Sequence, residues 1–359
     1  MLTHLSATAF RNLEALDVEV GPGRHLILGT NGAGKTSLLE AIYLLATTRS
    51  FRTPRIADCV RHGESSFRVL CETAERQKLE VFLDAGQRER RVNGERTSLA
   101  DHLAALPVVC WTASEGEVLT GAPTERRRFM DRGVLGLRPV ALEVMSRYRH
   151  ALDGKKELLK SGWVDPVQLS VWTDLQARAA AELSALRATY VEQLSAGLAE
   201  LLEAADLGLP EVKLKYRPSP SEAIDGVEAV RGALEQAQAK EIELKQPLLG
   251  PQRDDLSIRW VGREGESRAV KRVASAGERK ALGLALLLAH GQVLQGRNVE
   301  PVVLLDDVDA ELDPERWSRL WTLVGRHLQI LVTSARPAVW EHLEIDHRWQ
   351  VESGRVRRG

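Results

Sequence analysis

Cysteine is scarce in this chain: Cys59, Cys71 and Cys110 are the only three in 359 residues. They are odd in number and scattered. They have neither the paired spacing of a zinc site nor the density of a disulfide framework, which points to buried apolar thiols in a reducing, cytoplasmic compartment. An excess of charge of one sign is also missing. Lys and Arg number 49 against 50 Asp and Glu, a formal net charge of -1. No global basic field therefore draws the chain to nucleic acid, and such a partner requires cations clustered locally. Long apolar runs are absent too. The longest nearly unbroken one, residues 281–289, is under half of the roughly 20 residues a membrane-spanning helix needs. The opening Met1-Leu2-Thr3-His4-Leu5-Ser6 lacks the basic and apolar segments of a signal peptide. No fixed-period repeat, low-complexity tract or sustained heptad array is visible. A soluble globular protein of two or three domains, with no membrane partner, is the expectation.

Against these absences stands Gly29-Thr30-Asn31-Gly32-Ala33-Gly34-Lys35-Thr36, followed by Ser37. It reads G-x-x-x-x-G-K-T. The apolar His25-Leu26-Ile27-Leu28 before it reads as a strand, and Ser37 onward has apolar residues at helical spacing. Strand, glycine-rich turn and helix form the context of a phosphate-binding loop. The glycines let backbone N–H groups surround phosphate oxygens, and the helix N-terminus adds partial positive charge. Lys35 would reach the β- and γ-phosphates, and the Thr36 hydroxyl would ligate Mg²⁺. The alternative is a glycine-rich turn that binds nothing, which has no need of Lys-Thr there.

Around this loop, residues 3–10 and 13–20 alternate apolar with polar and read as half-buried strands. Residues 67–73, 78–84 and 88–92 read as an antiparallel set, with Asn93-Gly94 as a turn. Arg49-Ser50-Phe51-Arg52 is either a solvated loop or a contact for nucleotide or DNA. From about residue 111 the composition changes. Arg126, Arg127 and Arg128, then Lys155 and Lys156, form either a solvated helix face or a surface for DNA phosphates. Apolar positions at Leu175, Ala179, Leu183, Leu186, Tyr190, Leu194, Leu198 and Leu201 mark one long amphipathic helix. The division expected is an N-terminal part of an α/β head over 1–110, a helical lobe or short arm inserted over 111–245, and the rest of the head over 246–359.

In the last third, Ser275 and Glu278 fit a capping box. Ser275 and Gly277 at that helix start also suit an anion brought by a partner molecule. Val302-Val303-Leu304-Leu305 is an apolar strand that ends in Asp306-Asp307. Nucleotide sites of parallel sheets lie at such strand ends. Asp306 would hold Mg²⁺, and Asp307 would orient or deprotonate an attacking water. Glu311-Leu312-Asp313-Pro314 follows as a turn, and residues 328–332 as another buried strand ending in Thr333-Ser334.

The order of phosphate loop, long insertion, serine-glycine signature helix, strand with carboxylates and Leu-Asp loop resembles the ATP-binding-cassette class. Within it, the chain resembles the RecF family of bacterial recombination mediators, which are SMC-like with a short arm. The pieces that carry this are Phe10-Arg11-Asn12, the loop and its helix, Arg49-Ser50-Phe51-Arg52-Thr53, Arg126 to Asp131, Gly250-Pro251-Gln252-Arg253-Asp254-Asp255, the stretch from Ser275, and residues 305–313. Gln252 stands where the family usually has His, and Glu278-Arg279 where it usually has Gln. No Mg²⁺-sensing residue is assigned in the loop at 111–121. The resemblance implies an ABC-type ATPase head with an antiparallel β subdomain. It also implies an ATP-dependent homodimer in which Ser275 of one copy completes the other's site in trans, with Lys35 and Asp307 as catalytic groups and weak DNA-stimulated ATPase activity. It implies binding of double-stranded and gapped DNA, and partnership with RecR and RecO in loading RecA. A transporter ATPase would need a surface for a membrane partner, and an SMC-type tether would need long heptad arms.

Overall fold

The computed structural model describes residues 1–112, 116–262, 265–310, 313–323 and 328–358. Two compact units share the chain. One comprises Met1–Gly116, Glu200–Leu209 and Ser275–Gly359, and the other Glu117–Ala199 and Pro210–Ala274.

The first unit opens with strands β1 (Leu2–Phe10), β2 (Leu13–Glu19) and β3 (Arg24–Leu28), then helix α1 (Lys35–Thr47). Strands β4 (Phe67–Thr73), β5 (Lys78–Asp84), β6 (Gln87–Val92) and β7 (Glu95–Arg96) follow, then α2 (Leu99–Ala105) and β8 (Val108–Trp111). One sheet, in the order β2-β1-β4-β5-β6-β7, is antiparallel throughout. Alternation along β4 and β5 buries Phe67, Val69 and Cys71 opposite Leu79, Val81 and Leu83, the pattern of a sheet covered on one face. Asn93 and Gly94 both have positive φ between the paired β6 and β7, as the turn signal demands. All three cysteines are buried free thiols.

The second unit contains α3 (Glu117–Thr120), α4 (Pro123–Leu137), α5 (Ala141–Lys160) and most of the 40-residue α6 (Pro166–Ala205). It continues with β9 (Glu211–Arg217), α7 (Val227–Leu244), β10 (Asp255–Val261), β11 (Ser267–Ala269) and α8 (Val270–Val273). The contacts put residues 246–274 in this unit, whereas the sequence pattern assigned them to the head. The reason is strand pairing: β10 is hydrogen-bonded to β9 along its whole length, from Asp255 opposite Arg217 to Val261 opposite Glu211. A core of Val144, Tyr148, Ala177, Ala180, Leu183, Val230 and Leu234 holds the helices. Beside it, Arg187 ties Asp131 and the fully buried Asp254, each at 2.7 Å, and Tyr216 donates to the same Asp254 carboxylate.

The chain returns to the first unit with α9 (Ala276–Gln295), β12 (Val302–Leu305), α10 (Pro314–Leu323), β13 (Ile330–Ser334), β14 (His347–Glu352) and β15 (Arg355–Arg358). These complete a second sheet, β15-β14-β3-β13-β12-β8, parallel except at β15. Every residue of β12 and β13 is buried, which is why β12 reads as an unbroken apolar run and β13 as one up to Thr333-Ser334. No helix among the described residues is long and apolar enough to cross a membrane.

Candidate nucleotide site

Parallel register sets the site. Leu28, Ser334 and Leu305 end the adjacent strands β3, β13 and β12, so the loops after them emerge at one edge. The loop after β3 holds residues 29–36. Gly34 has φ 119°, a conformation glycine adopts without a Cβ penalty, and it starts α1. At Gly29 a Cβ would lie 2.5 Å from the Val351 carbonyl oxygen, so β14 admits only hydrogen there. Three bonds fix the loop from outside or within: Gly354 N–H donates to Ala33 O (2.7 Å), Asn12 Nδ2 to Gly32 O (3.1 Å), and Ala33 N–H to Thr30 O (3.2 Å). Lys35 is buried, and its ammonium donates to Gly29 O (3.0 Å) and Thr30 O (3.2 Å). Thr30, Asn31 and Gly32 stay exposed, and Ser37 is buried at the start of α1.

The acidic side comes from β12 and β13. Asp306 Oδ1 accepts the Thr36 hydroxyl at 2.9 Å and the Thr333 hydroxyl at 2.8 Å, and Thr333 Oγ1 in turn accepts Asp307 N–H at 2.9 Å. Burial holds the Asp306 carboxyl above its usual range. The Thr333 and Thr36 bonds and the Lys35 charge oppose that rise, while Asp307 adds to it. A partly desolvated carboxylate beside a hydroxyl is a hard-oxygen donor set suited to Mg²⁺. Asp307 is half-buried with φ 43°, an uncommon backbone for a non-glycine residue. The turn behind it is anchored by the buried Asp309, whose Oδ2 accepts from Ser334 Oγ (2.7 Å) and Trp340 Nε1 (3.1 Å). Residues 311–312 of the Leu-Asp turn lie outside the described residues, as do 113–115 of the loop at 111–121. Asp313 Oδ1 accepts from the backbone N–H groups of Glu315 and Arg316 at the start of α10.

Ser275 and Glu278 form the full capping box of α9: Ser275 N–H donates to Glu278 Oε2 (2.8 Å) and Glu278 N–H to Ser275 Oγ (3.3 Å). Ser275 is exposed, and no side chain or backbone lies within 4 Å of a Cβ built on Gly277.

The basic residues singled out for DNA behave differently from one another. Arg126 is buried and forks onto Asp255 at 2.6 and 3.1 Å. Lys155 is fully buried in an ion pair with the equally buried Glu241, at 2.7 Å. Both are structural, a correction to their reading as DNA-facing cations. Arg127 is half-buried and donates to Asp254 O at 3.0 Å. Arg128 is exposed and paired with Glu125, and Lys156 is exposed. In the 49–52 loop, Ser50 and Arg52 both reach the fully buried Glu40, which Arg11 grips at 2.6 and 2.9 Å.

Thr333, Asn12 and Gly354 escaped the sequence reading. The sequence signal for Thr333 was a hydroxyl at the end of a buried strand. Asn12 and Gly354 reach the loop through backbone geometry that no local pattern announces.

Residues 1–355 match the model of the RecF/RecN/SMC N-terminal domain. A curated relative named DNA replication and repair protein RecF, from Frankia alni, is 35% identical over 99% of both chains. The chain belongs to the RecF family. A RecF of the same name from Streptomyces avermitilis is also 35% identical over 99% of both chains, and one from Heliobacterium modesticaldum 33% over 90% of both. Among solved structures, the recombination mediator protein RecF of the RecFOR pathway, with ATP, is similar at TM-score 0.85 and 25% identity, covering all of this chain and 97% of that one. A solved SMC head bound to the C-terminal winged-helix domain of ScpA shares the fold at TM-score 0.61 and 16% identity, covering all of this chain and 96% of that one. The architecture is thus the RecF/SMC type of ABC ATPase head, as the motif order led us to expect.

Proposed function

We propose that this RecF-family chain is an ATP-dependent DNA-binding clamp of recombinational repair and replication, with weak ATPase activity. The observation that carries it is the convergence of Thr36, Asp306 and Thr333 at the lip of the phosphate loop, from positions about 270 and 300 residues apart. The solved RecF with ATP supports ATP as the ligand. Backbone N–H groups of residues 30–36 bind the phosphates, and Lys35 exchanges its two loop carbonyls for phosphate oxygens. Thr36 and Asp306 would hold Mg²⁺, which when bound supplies positive charge against the phosphates. Asp307 orients the attacking water, and Thr333 holds the Asp306 carboxylate and the Asp307 backbone amide relative to the loop.

One head leaves the outer side of this site open. The exposed Ser275 at the start of α9 supplies a hydroxyl and a helix N-terminus to a second copy's γ-phosphate, so ATP acts as a dimerisation ligand. DNA, and RecR with RecO, are the partners that the relatives' name and pathway suggest; a preference for gapped or duplex DNA and the loading of RecA follow from the resemblance alone. The test is light scattering with and without ATP, paired with an equilibrium nucleotide titration. Wild type is expected to dimerise only with ATP, Ser275→Arg to bind ATP as a monomer, and Lys35→Ala to lose at least tenfold in affinity. Persistent dimers of Ser275→Arg would overturn the trans site. Unchanged ATP affinity in Lys35→Ala would overturn the loop assignment.

A further inference from the structure

The three-stranded sheet β11-β10-β9 of the inserted unit has one apolar and one basic face. Leu256, Ile258 and Trp260 of β10 and Tyr216 of β9 are buried. The alternate residues face the other way. On edge strand β9 these are Lys213, Lys215 and Arg217, all exposed, and in register across from them on β10 lie Arg259, Ser257 and Asp255. Few acids neutralise this face. Glu211 reaches Lys213 at 3.6 Å with both side chains well exposed, a pair worth little in water. Asp255 is already held by Arg126. Arg259 donates to the Ser267 hydroxyl and carbonyl, so its guanidinium is positioned by neutral groups and not by a carboxylate. Lys215 and Arg217 form no ion pair among the described residues.

We propose that this face is a docking surface for the phosphate backbone of duplex DNA. The inference rests on the DNA-binding reading above and gives it a surface, in place of Arg126 and Lys155, which the fold buries. Successive cations on β9 advance by two residues, about 6.8 Å, which makes a regular row of positive charge to set against the regularly repeating phosphates of a DNA strand. With Arg259 beside the row, four cations are available to phosphates, and contacts to the phosphate backbone carry no sequence information of their own, so the contact is expected to depend little on sequence. Edge strands rich in Lys also resist pairing with other chains, but that protective role does not call for Arg259 fixed at the sheet centre.

The experiment titrates a labelled random-sequence duplex against full-length protein with ATP, from 50 to 300 mM salt. Wild type is compared with K213A/K215A/R217A, with K213R/K215R, and with R178A/K240A as a control that removes exposed charge elsewhere in the same unit. The triple variant is expected to lose at least tenfold in affinity at low salt, and its log–log salt slope to fall by about 2.7. K213R/K215R should retain binding, R178A/K240A should change it less than threefold, and ATP affinity should be wild type in all. An unchanged slope in the triple variant, or an equal loss in the control, overturns the proposal while leaving the clamp reading intact. No DNA binding by wild type overturns both. Unchanged DNA binding with lost binding of polyglutamate would give the face to an acidic protein segment instead. Circular dichroism of each variant confirms that the sheet is folded.

Discussion

Thr333 shows how one hydroxyl can set two acids. It donates to Asp306 Oδ1 and accepts from Asp307 N–H, so it couples the end of β13 to the turn that carries both carboxylates. Thr333→Val keeps the volume and the β-branch but leaves the Asp307 amide without that acceptor in a half-buried turn. The expected cost is about 1–2 kcal/mol of stability, read as a lower urea midpoint at unchanged slope, together with slower ATP turnover. Thr333→Ser restores the hydroxyl and is expected to recover most of both. A Thr333→Val protein as stable and active as wild type would show that the hydroxyl bridges nothing of consequence. At the same scale, Arg126 and Lys155 show what a basic motif hides. Lys155 follows Val144, Tyr148 and Ala151 and precedes Leu159 on the buried stripe of α5. Arg126 stands three and four residues before Phe129 and Met130 on the buried stripe of α4. Helical phase, read strictly, separates these two from the exposed Arg128 and Lys156, whereas counting charges does not.

At the scale of elements, α9 has one job the structure displays and a second that the proposed clamp adds. Its capping box satisfies backbone donors of its first turn, and in the proposed clamp the same serine serves a second copy's site. Ser275→Asp tests them apart. Aspartate caps about as well as serine, so the helix is expected to keep its stability, but a carboxylate there repels a triphosphate. The variant should unfold within a degree or two of wild type yet fail to dimerise with ATP. Ser275→Ala should lose about 1 kcal/mol. ATP-driven dimers of Ser275→Asp at wild-type levels would reduce the serine to its cap. The elements legible in the sequence were those whose pattern is local, among them β1 to β6, α1, α6, β12, β13 and the cap of α9. The phosphate loop and Asp306 could be joined on paper because nucleotide sites lie at the ends of parallel strands. What stayed hidden depended on pairing between distant segments. Residues 246–274 belong with the insertion because β10 pairs with β9 across α7, and nothing within β10 itself says so. The basic face of that sheet was missed for the same reason, since Arg259 joins Lys213 only through register.

For the molecule as a whole, acid response tests how the parallel sheet of the head is closed. His25 on β3 is fully buried beside β14, where Trp349 Nε1–H donates to its Nδ1 at 3.0 Å. Nδ1 therefore carries no proton, and Nε2–H donates to Gly21 O at 2.8 Å. Burial pulls the imidazole down from 6.5 to about 4; the Gly21 bond and Asp346 oppose this, and His347 and Arg358 add to it. The unfolded chain thus takes up a proton near pH 6.5 that the folded head refuses until about pH 4. Stability from this group is complete above pH 6.5 and is lost as pH falls from there to about 4, by about 3 kcal/mol in all. Buried His102 is lowered for the same reason and acts in the same direction, whereas Asp254 and Asp306, raised by burial, lose an ionisation penalty as acid is added. The comparison that isolates His25 is with His25→Gln, whose amide can accept from Trp349 and donate to Gly21 but does not titrate. Urea unfolding followed by fluorescence at pH 7.5, 6, 5 and 4.5 should show wild type losing more stability than His25→Gln at each downward step. Parallel pH profiles would mean that the seam between β3 and β14 opens to admit the proton at little cost, and that the sheet beneath the nucleotide loop is not held by Trp349 and His25.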